Sequence, residues 1–181
     1  MIPDGKMYME DELGAGMIAS IEDYTALTEQ TGADVGFGYG VIIQNGKVIP
    51  ATKGPIFGIA LRRNWANADH FYDSDIKNDK FTTGETITVL RDGIVAVPIT
   101  ADVNAGENAA VDANGGFKPA TAGDTVVGVF VGNGDKGNTA RLQTRIQLAS
   151  GNADNLATGS QPVATPSTDT KNNAGSSSTG K

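Results

Sequence analysis

Between Phe81 and Gly116 the chain reads FTTGETITVLRDGIVAVPITADVNAGENAAVDANGG, a succession of short apolar runs separated by glycine turns. Thr86–Leu90 and Ile94–Ile99 are rich in β-branched residues, and Arg91-Asp92-Gly93 stands between them. Asp-Gly between two apolar runs is the signature of a type I′ hairpin, because that turn needs positive φ at both central residues. The spacing therefore predicts a tight hairpin at Asp92-Gly93. A second turn is expected at Ala105-Gly106-Glu107, a short strand at Asn108–Val111 and a third turn at Asn114-Gly115-Gly116. None of these residues is a good nucleophile, general base or metal cluster. The segment that orders best is sheet and turn, which points to binding and packing rather than chemistry.

The same texture extends over Met17–Leu148. Gly36–Ile43 and Val48–Ile49 flank Gln44-Asn45-Gly46-Lys47, a further Asn-Gly hairpin. Gly54–Leu61 and Thr125–Val131 read as buried strands. In Thr139–Leu148, Leu142, Thr144, Ile146 and Leu148 share one face and Arg141, Gln143, Arg145 and Gln147 the other. That is the period of two of a strand. Met17–Glu29 stays open between a short helix striped by Ile18, Ile21 and Leu27 and a strand over Tyr24–Thr28. The expected fold is all-β, a compact barrel or sandwich of short strands with tight glycine turns.

After Ala149 the composition changes. Leu156 and Val163 are almost the only sizeable apolar side chains up to Lys181, amid Ser, Thr, Asn and Gly. Such a stretch cannot bury enough surface to offset its ordering entropy. The expected organisation is an N-terminal arm over 1–16, a β domain over 17–148 and a disordered tail over 149–181.

Charge and composition remove several function classes. Asp and Glu number 21 against 14 Lys and Arg, a net charge of −7, so the chain lacks the clustered cations that phosphate backbones require. It has no cysteine, which excludes disulfides, thiolate zinc sites and thiol catalysis. MIPDGKMYMEDELG has neither the basic n-region nor the apolar run of a signal peptide. No apolar stretch approaches the roughly 18 residues of a membrane helix. The expectation is a soluble protein made in a cytoplasm, with no nucleic-acid or membrane partner and no cofactor.

Four constellations could carry a site. Gly132-Asn133-Gly134-Asp135-Lys136-Gly137 matches GxGxxG, but a dinucleotide site needs a helix to begin there, and Thr139–Leu148 alternates like a strand. A hairpin turn is the expected outcome. Asp69, Asp73, Asp75 and Asp79 are spaced like calcium ligands in part, yet Asn78 and Gly84 stand where an EF-hand needs Gly and Glu, which leaves a solvated acidic loop and no metal. His70 is the only histidine and has no Gly-x-Ser-x-Gly elbow to serve, so no catalytic residue is assigned. Trp65, Phe71 and Tyr72 in the polar stretch Arg62–Lys80 form either a satellite cluster beneath the loop or an oligomer or partner contact. The arm carries Met7, Tyr8, Met9, Leu13 and Met17, more apolar residues than a free arm needs. It either covers one end of its own barrel or docks in a partner.

The order of motifs resembles one family. Gly16-Met17-Ile18-Ala19 comes first, then Gly36-Phe37-Gly38 and Phe57-Gly58-Ile59-Ala60. Phe81-x-x-Gly84-Glu85, Val89-Leu90-Arg91-Asp92-Gly93-Ile94-Val95-Ala96-Val97 and Ala105-Gly106-Glu107 follow. This is similar to the structural cement, or head-decoration, proteins of tailed bacteriophages, over most of Gly16–Leu148. Ser20 departs from the Asp usual in that family. The resemblance implies a non-enzymatic virion protein on the outer capsid surface, made in the bacterial host cytoplasm. It would bridge major capsid proteins, and a homotrimer is the expected oligomer. The competing reading is a β-sandwich adhesion or carbohydrate-binding module of a phage or bacterial surface.

Overall fold

The computed structural model describes residues 13–21, 23–63 and 80–146, all within the first of the two units into which the chain divides, Met1–Leu148 and Ala149–Lys181. The described residues hold no helix. Their strands are β1 (Thr25–Gln30), β2 (Val35–Gly36), β3 (Gly40–Gln44), β4 (Lys47–Pro50), β5 (Gly58–Ala60), β6 (Lys80–Phe81), β7 (Thr86–Pro98), β8 (Asn108–Val111), β9 (Phe117–Pro119), β10 (Gly128–Phe130) and β11 (Thr139–Thr144). The fold is all-β, as the sequence leads one to expect. The open segment Met17–Glu29 resolves as strand from Thr25 onward.

Strand β7 is the spine. The large sheet runs β4-β3-β5-β7-β11-β10-β8-β9, with β1 added on β7. Leu90 pairs with both Ala26 of β1 and Ile59 of β5, so these two strands flank the first half of β7. The second half, Gly93–Pro98, pairs with Thr144–Thr139 of β11. Each half of the sheet then curls back on itself. A parallel bridge Thr31↔Val48 ties the end of β1 to β4, and Ile99↔Phe117 ties the end of β7 to β9. Two cores result. Phe117, Phe130, Leu142, Ile59, Leu90, Val95 and Val97 fill the larger. Val35, Phe37, Val41, Val48, Phe81, Ile87 and Val89 fill the smaller, where the Phe37 and Phe81 rings meet edge to face at 4.9 Å.

The hairpin expected at Asp92-Gly93 does not form. The chain continues through these residues as one strand of 13 residues. Gly93 has φ 141°, but Asp92 is not among the positive-φ residues, so the two-residue requirement of a type I′ turn is unmet. The physical reason is pairing: both halves find better partners in β1, β5 and β11 than in each other. Asp92-Gly93 instead sits where the ladder passes from β1 to β11, beside a register shift between Thr25 and Ala26. The expected strand Gly36–Ile43 is likewise interrupted, by a turn in which Tyr39 N–H donates to Gly36 O (3.2 Å) and Gly38 has φ 74°. By contrast, Asn45 and Gly46 both have positive φ, and Gln44 pairs with Lys47, so the Asn-Gly hairpin forms as expected. Turns at Gly106 and Gly115 form too.

Gly93→Val is expected to destabilise the fold by about 1 kcal/mol or more, since a β-branched side chain is strained at positive φ. Its Cβ would also lie 3.0 Å from that of Tyr24. A urea midpoint equal to that of the parent chain would show that residue 93 is free to leave this conformation.

Candidate partner-binding surface

Residues 13–21 lie against the second half of β7. Gly16 N–H donates to Ala96 O (2.8 Å), Ala96 N–H to Met17 O (2.9 Å) and Ala19 N–H to Ile94 O (2.9 Å). Arg62 N–H donates to Gly16 O (2.9 Å), and the Thr139 hydroxyl donates to Leu13 O (2.6 Å). Gly16 suits this seam: its φ is 79°, and a Cβ there would come within 2.6 Å of the Arg62 nitrogen. Backbone pairing makes the side chains alternate. Ile18 packs on the larger core, while Leu13 and Met17 remain substantially exposed.

The apolar exposure continues along the chain. Ile21 is fully exposed, Tyr24 is 52% exposed and Leu27 45%. Leu13, Ile18, Ala19, Ser20, Ile21 and Ile94 line an open groove of about 540 Å³. Apolar lining of this kind, at Leu13, Ile18, Ile21 and Ile94, marks a place where a protein meets something else. Sequence reasoning singled out Leu13 and Met17 but missed Ile21 and Tyr24. Their signal was there, apolar residues beside Glu22-Asp23, but the helix-or-strand ambiguity of this stretch hid which face they would occupy. Met7, Tyr8 and Met9 lie outside the described residues.

The stretch carrying Trp65, His70, Phe71, Tyr72 and the four aspartates is also outside them, but its two anchors are described. Arg63 grips both carboxylate oxygens of Glu85 (3.0 and 3.2 Å), donates to Lys80 O (2.9 Å) and stacks 4.7 Å from the Phe81 ring centre. Lys80 in turn bonds Asp34 (3.0 Å), and this holds the Asp34 carboxyl below its ordinary value. Bidentate and charge-assisted contacts thus join the entry and exit of the stretch side by side on the body.

Nothing in the glycine-rich match at Gly132 fits a nucleotide. Asn138 N–H donates to Asp135 O (3.1 Å), Gly137 has φ 91°, and Thr139 starts β11 rather than a helix. The Asn133 side-chain oxygen accepts from Ala105 N–H (2.8 Å), so this residue braces the neighbouring turn. Among the described residues, no three His, Cys, Asp or Glu gather closely enough to hold a metal ion.

Comparison with known proteins adds the following. The family model described as structural cement protein (E217 gp24/Pam3 gp6) matches residues 6–145. No curated protein matches the chain. Among solved structures it is similar to the N base of head fiber gp8.5 of bacteriophage phi29, at 14% identity and a TM-score of 0.47. That likeness covers 70% of this chain and 100% of the other.

Proposed function

The chain belongs to the structural cement protein family, and on that premise we propose that it is a non-enzymatic virion protein that decorates and stabilises the outside of a phage capsid by bridging major capsid proteins. The observation that carries this reading is the family match, which spans nearly the whole described body. The physics agrees with it. A cement needs a rigid body, which the two cores and the curled sheet provide, and a surface that gains by being covered, which the exposed apolar residues of 13–27 provide. We assign the capsid contact to the arm residues Met7, Tyr8, Met9, Leu13 and Met17. Trp65, Phe71 and Tyr72 are assigned to an oligomer or partner contact. A trimer is the proposed oligomer, since a closed cyclic assembly can sit on a symmetry axis of a shell.

Co-sedimentation with purified undecorated shells tests the reading. The full chain should pellet with shells and raise their melting temperature. The double variant Leu13→Asp, Met17→Asp should bind at least about 10-fold more weakly, because one well-buried apolar side chain contributes roughly 1.5–3 kcal/mol. Its own melting temperature should hold, since both side chains are exposed in the free protein. Failure of the full chain to bind would overturn the capsid role. Unchanged binding by the variant would move the contact elsewhere. A reconstruction with single copies away from every symmetry or quasi-symmetry axis would rule out the trimer.

A further inference from the structure

We infer that Asn45, at the tip of the β3–β4 hairpin, is a site of spontaneous deamidation, modified through attack by the Gly46 backbone nitrogen. The chain holds three Asn-Gly pairs, Asn45-Gly46, Asn114-Gly115 and Asn133-Gly134. A following glycine has no side chain to shield the attacking nitrogen, so by sequence the three are equal candidates. The structure separates them. At Asn133 the side-chain oxygen accepts from Ala105 N–H (2.8 Å) and Gly134 N–H donates to Val103 O (3.1 Å), so both reacting groups are held. At Asn114 the following Gly115 N–H donates to Asp112 O (3.3 Å). Asp112 Oδ1 accepts from Asn114 N–H (2.8 Å) and Gly116 N–H (3.0 Å), which braces that turn further. The Tyr39 ring covers it, 2.8 Å from where a Gly115 Cβ would stand. At Asn45, among the described residues, no hydrogen bond holds the side chain or the Gly46 N–H. Both residues are exposed, and a Cβ at Gly46 would find nothing within 4 Å.

The left-handed backbone of Asn45, at φ 52°, aims the Gly46 nitrogen away from the Asn45 side chain, so the step waits for the turn to open. Only the pair Gln44↔Lys47, itself exposed, closes the tip, and such hairpin ends open at low free energy. Once the turn is open, the Gly46 nitrogen gives up its proton to water and bonds to Asn45 Cγ. The Cγ–Nδ2 bond breaks and the amide leaves as ammonia, which closes a five-membered imide. Water then adds to one of the two imide carbonyls and breaks its bond to nitrogen, leaving aspartate or isoaspartate. Either product adds one negative charge to a chain that already carries −7. The two differ in what they do to the fold. Aspartate is an accepted first residue of this turn type. Isoaspartate puts an extra carbon into the main chain, for which a two-residue turn has no room, so Gln44 and Lys47 lose their register. The modification is independent of the capsid reading and would stand if that reading failed.

Peptide mapping by mass spectrometry, on the folded full-length chain sampled during incubation at mildly alkaline pH, tests it. Conversion at Asn45 should run at least about 10-fold faster than at Asn133, where two hydrogen bonds have to be released first. It should also outrun conversion at Asn114. In guanidinium the three rates should converge, because no hydrogen bond or covering ring then distinguishes the sites. Ion exchange separates the products for a second readout. The isoaspartate fraction should melt below the parent chain, while Asn45→Asp, which gains the same charge without the extra carbon, should melt with it. An Asn45 that converts no faster than Asn114 or Asn133 in the folded chain overturns the proposal. The same lead persisting in guanidinium overturns its structural cause. An isoaspartate fraction that melts with the parent overturns the loss of register.

Discussion

Phe130→Ala is expected to cost about 3–5 kcal/mol, the range for emptying a fully buried aromatic site. Phe130 has no exposed surface and lies in the larger core, paired across to Leu142 on β11. Its backbone is fixed on both sides: it donates to Glu107 O (2.9 Å) and accepts from Gly106 N–H (2.7 Å). The site therefore has little freedom to collapse around a smaller side chain, and most of the lost volume should remain as a cavity. Set against a typical total stability of about 5–15 kcal/mol, the loss should lower the melting temperature by roughly 10 °C or more. The adjacent Val129 faces the other way and is 36% exposed, so Val129→Ala should cost under about 1 kcal/mol. A urea melt of the two variants side by side reads the difference. Equal losses would mean that the strand does not alternate as the structure places it.

Gly58→Ala should be nearly as damaging, at about 2–3 kcal/mol, for the opposite reason. A methyl group there would lie 2.3 Å from the Leu90 carbonyl oxygen and 2.6 Å from a Val89 methyl. The oxygen belongs to the backbone of β7, so relief requires moving the spine itself. Gly46→Ala is the contrast. Gly46 has positive φ but nothing within 4 Å of the added carbon, so only backbone strain of about 1 kcal/mol is expected. If Gly46→Ala proved the worse of the two in thermal melts, close packing of β5 on β7 would not be what excludes a side chain at position 58.

These two glycines show what could be read from the chain and what could not. Asn45-Gly46 announces its hairpin, because the turn is local and both residues supply the required φ. Gly58 is one of 24 glycines, and nothing nearby says that a carbonyl 32 residues later closes over it. The candidate surface divides in the same way. Leu13 and Met17 stood out as surplus apolar residues in an arm. Ile21 and Tyr24 did not, because their exposure depends on residues 16–19 being paired to β7.

The all-β class, the turns at Gly46, Gly106 and Gly115, the strand Asn108–Val111 and the shared face of Leu142 and Thr144 were settled by local chemistry, whereas Ile146, expected on that face, lies past the end of β11 and is exposed. Side-chain period and the φ demanded by a turn act over a few residues, so a few residues reveal them. The path through Asp92-Gly93 was decided by tertiary structure alone. Locally the hairpin was the better choice. Across the molecule, β7 gains ladders on both sides and contributes Val89 to one core and Leu90 to the other, and those non-local pairings outweigh the preference of a two-residue turn.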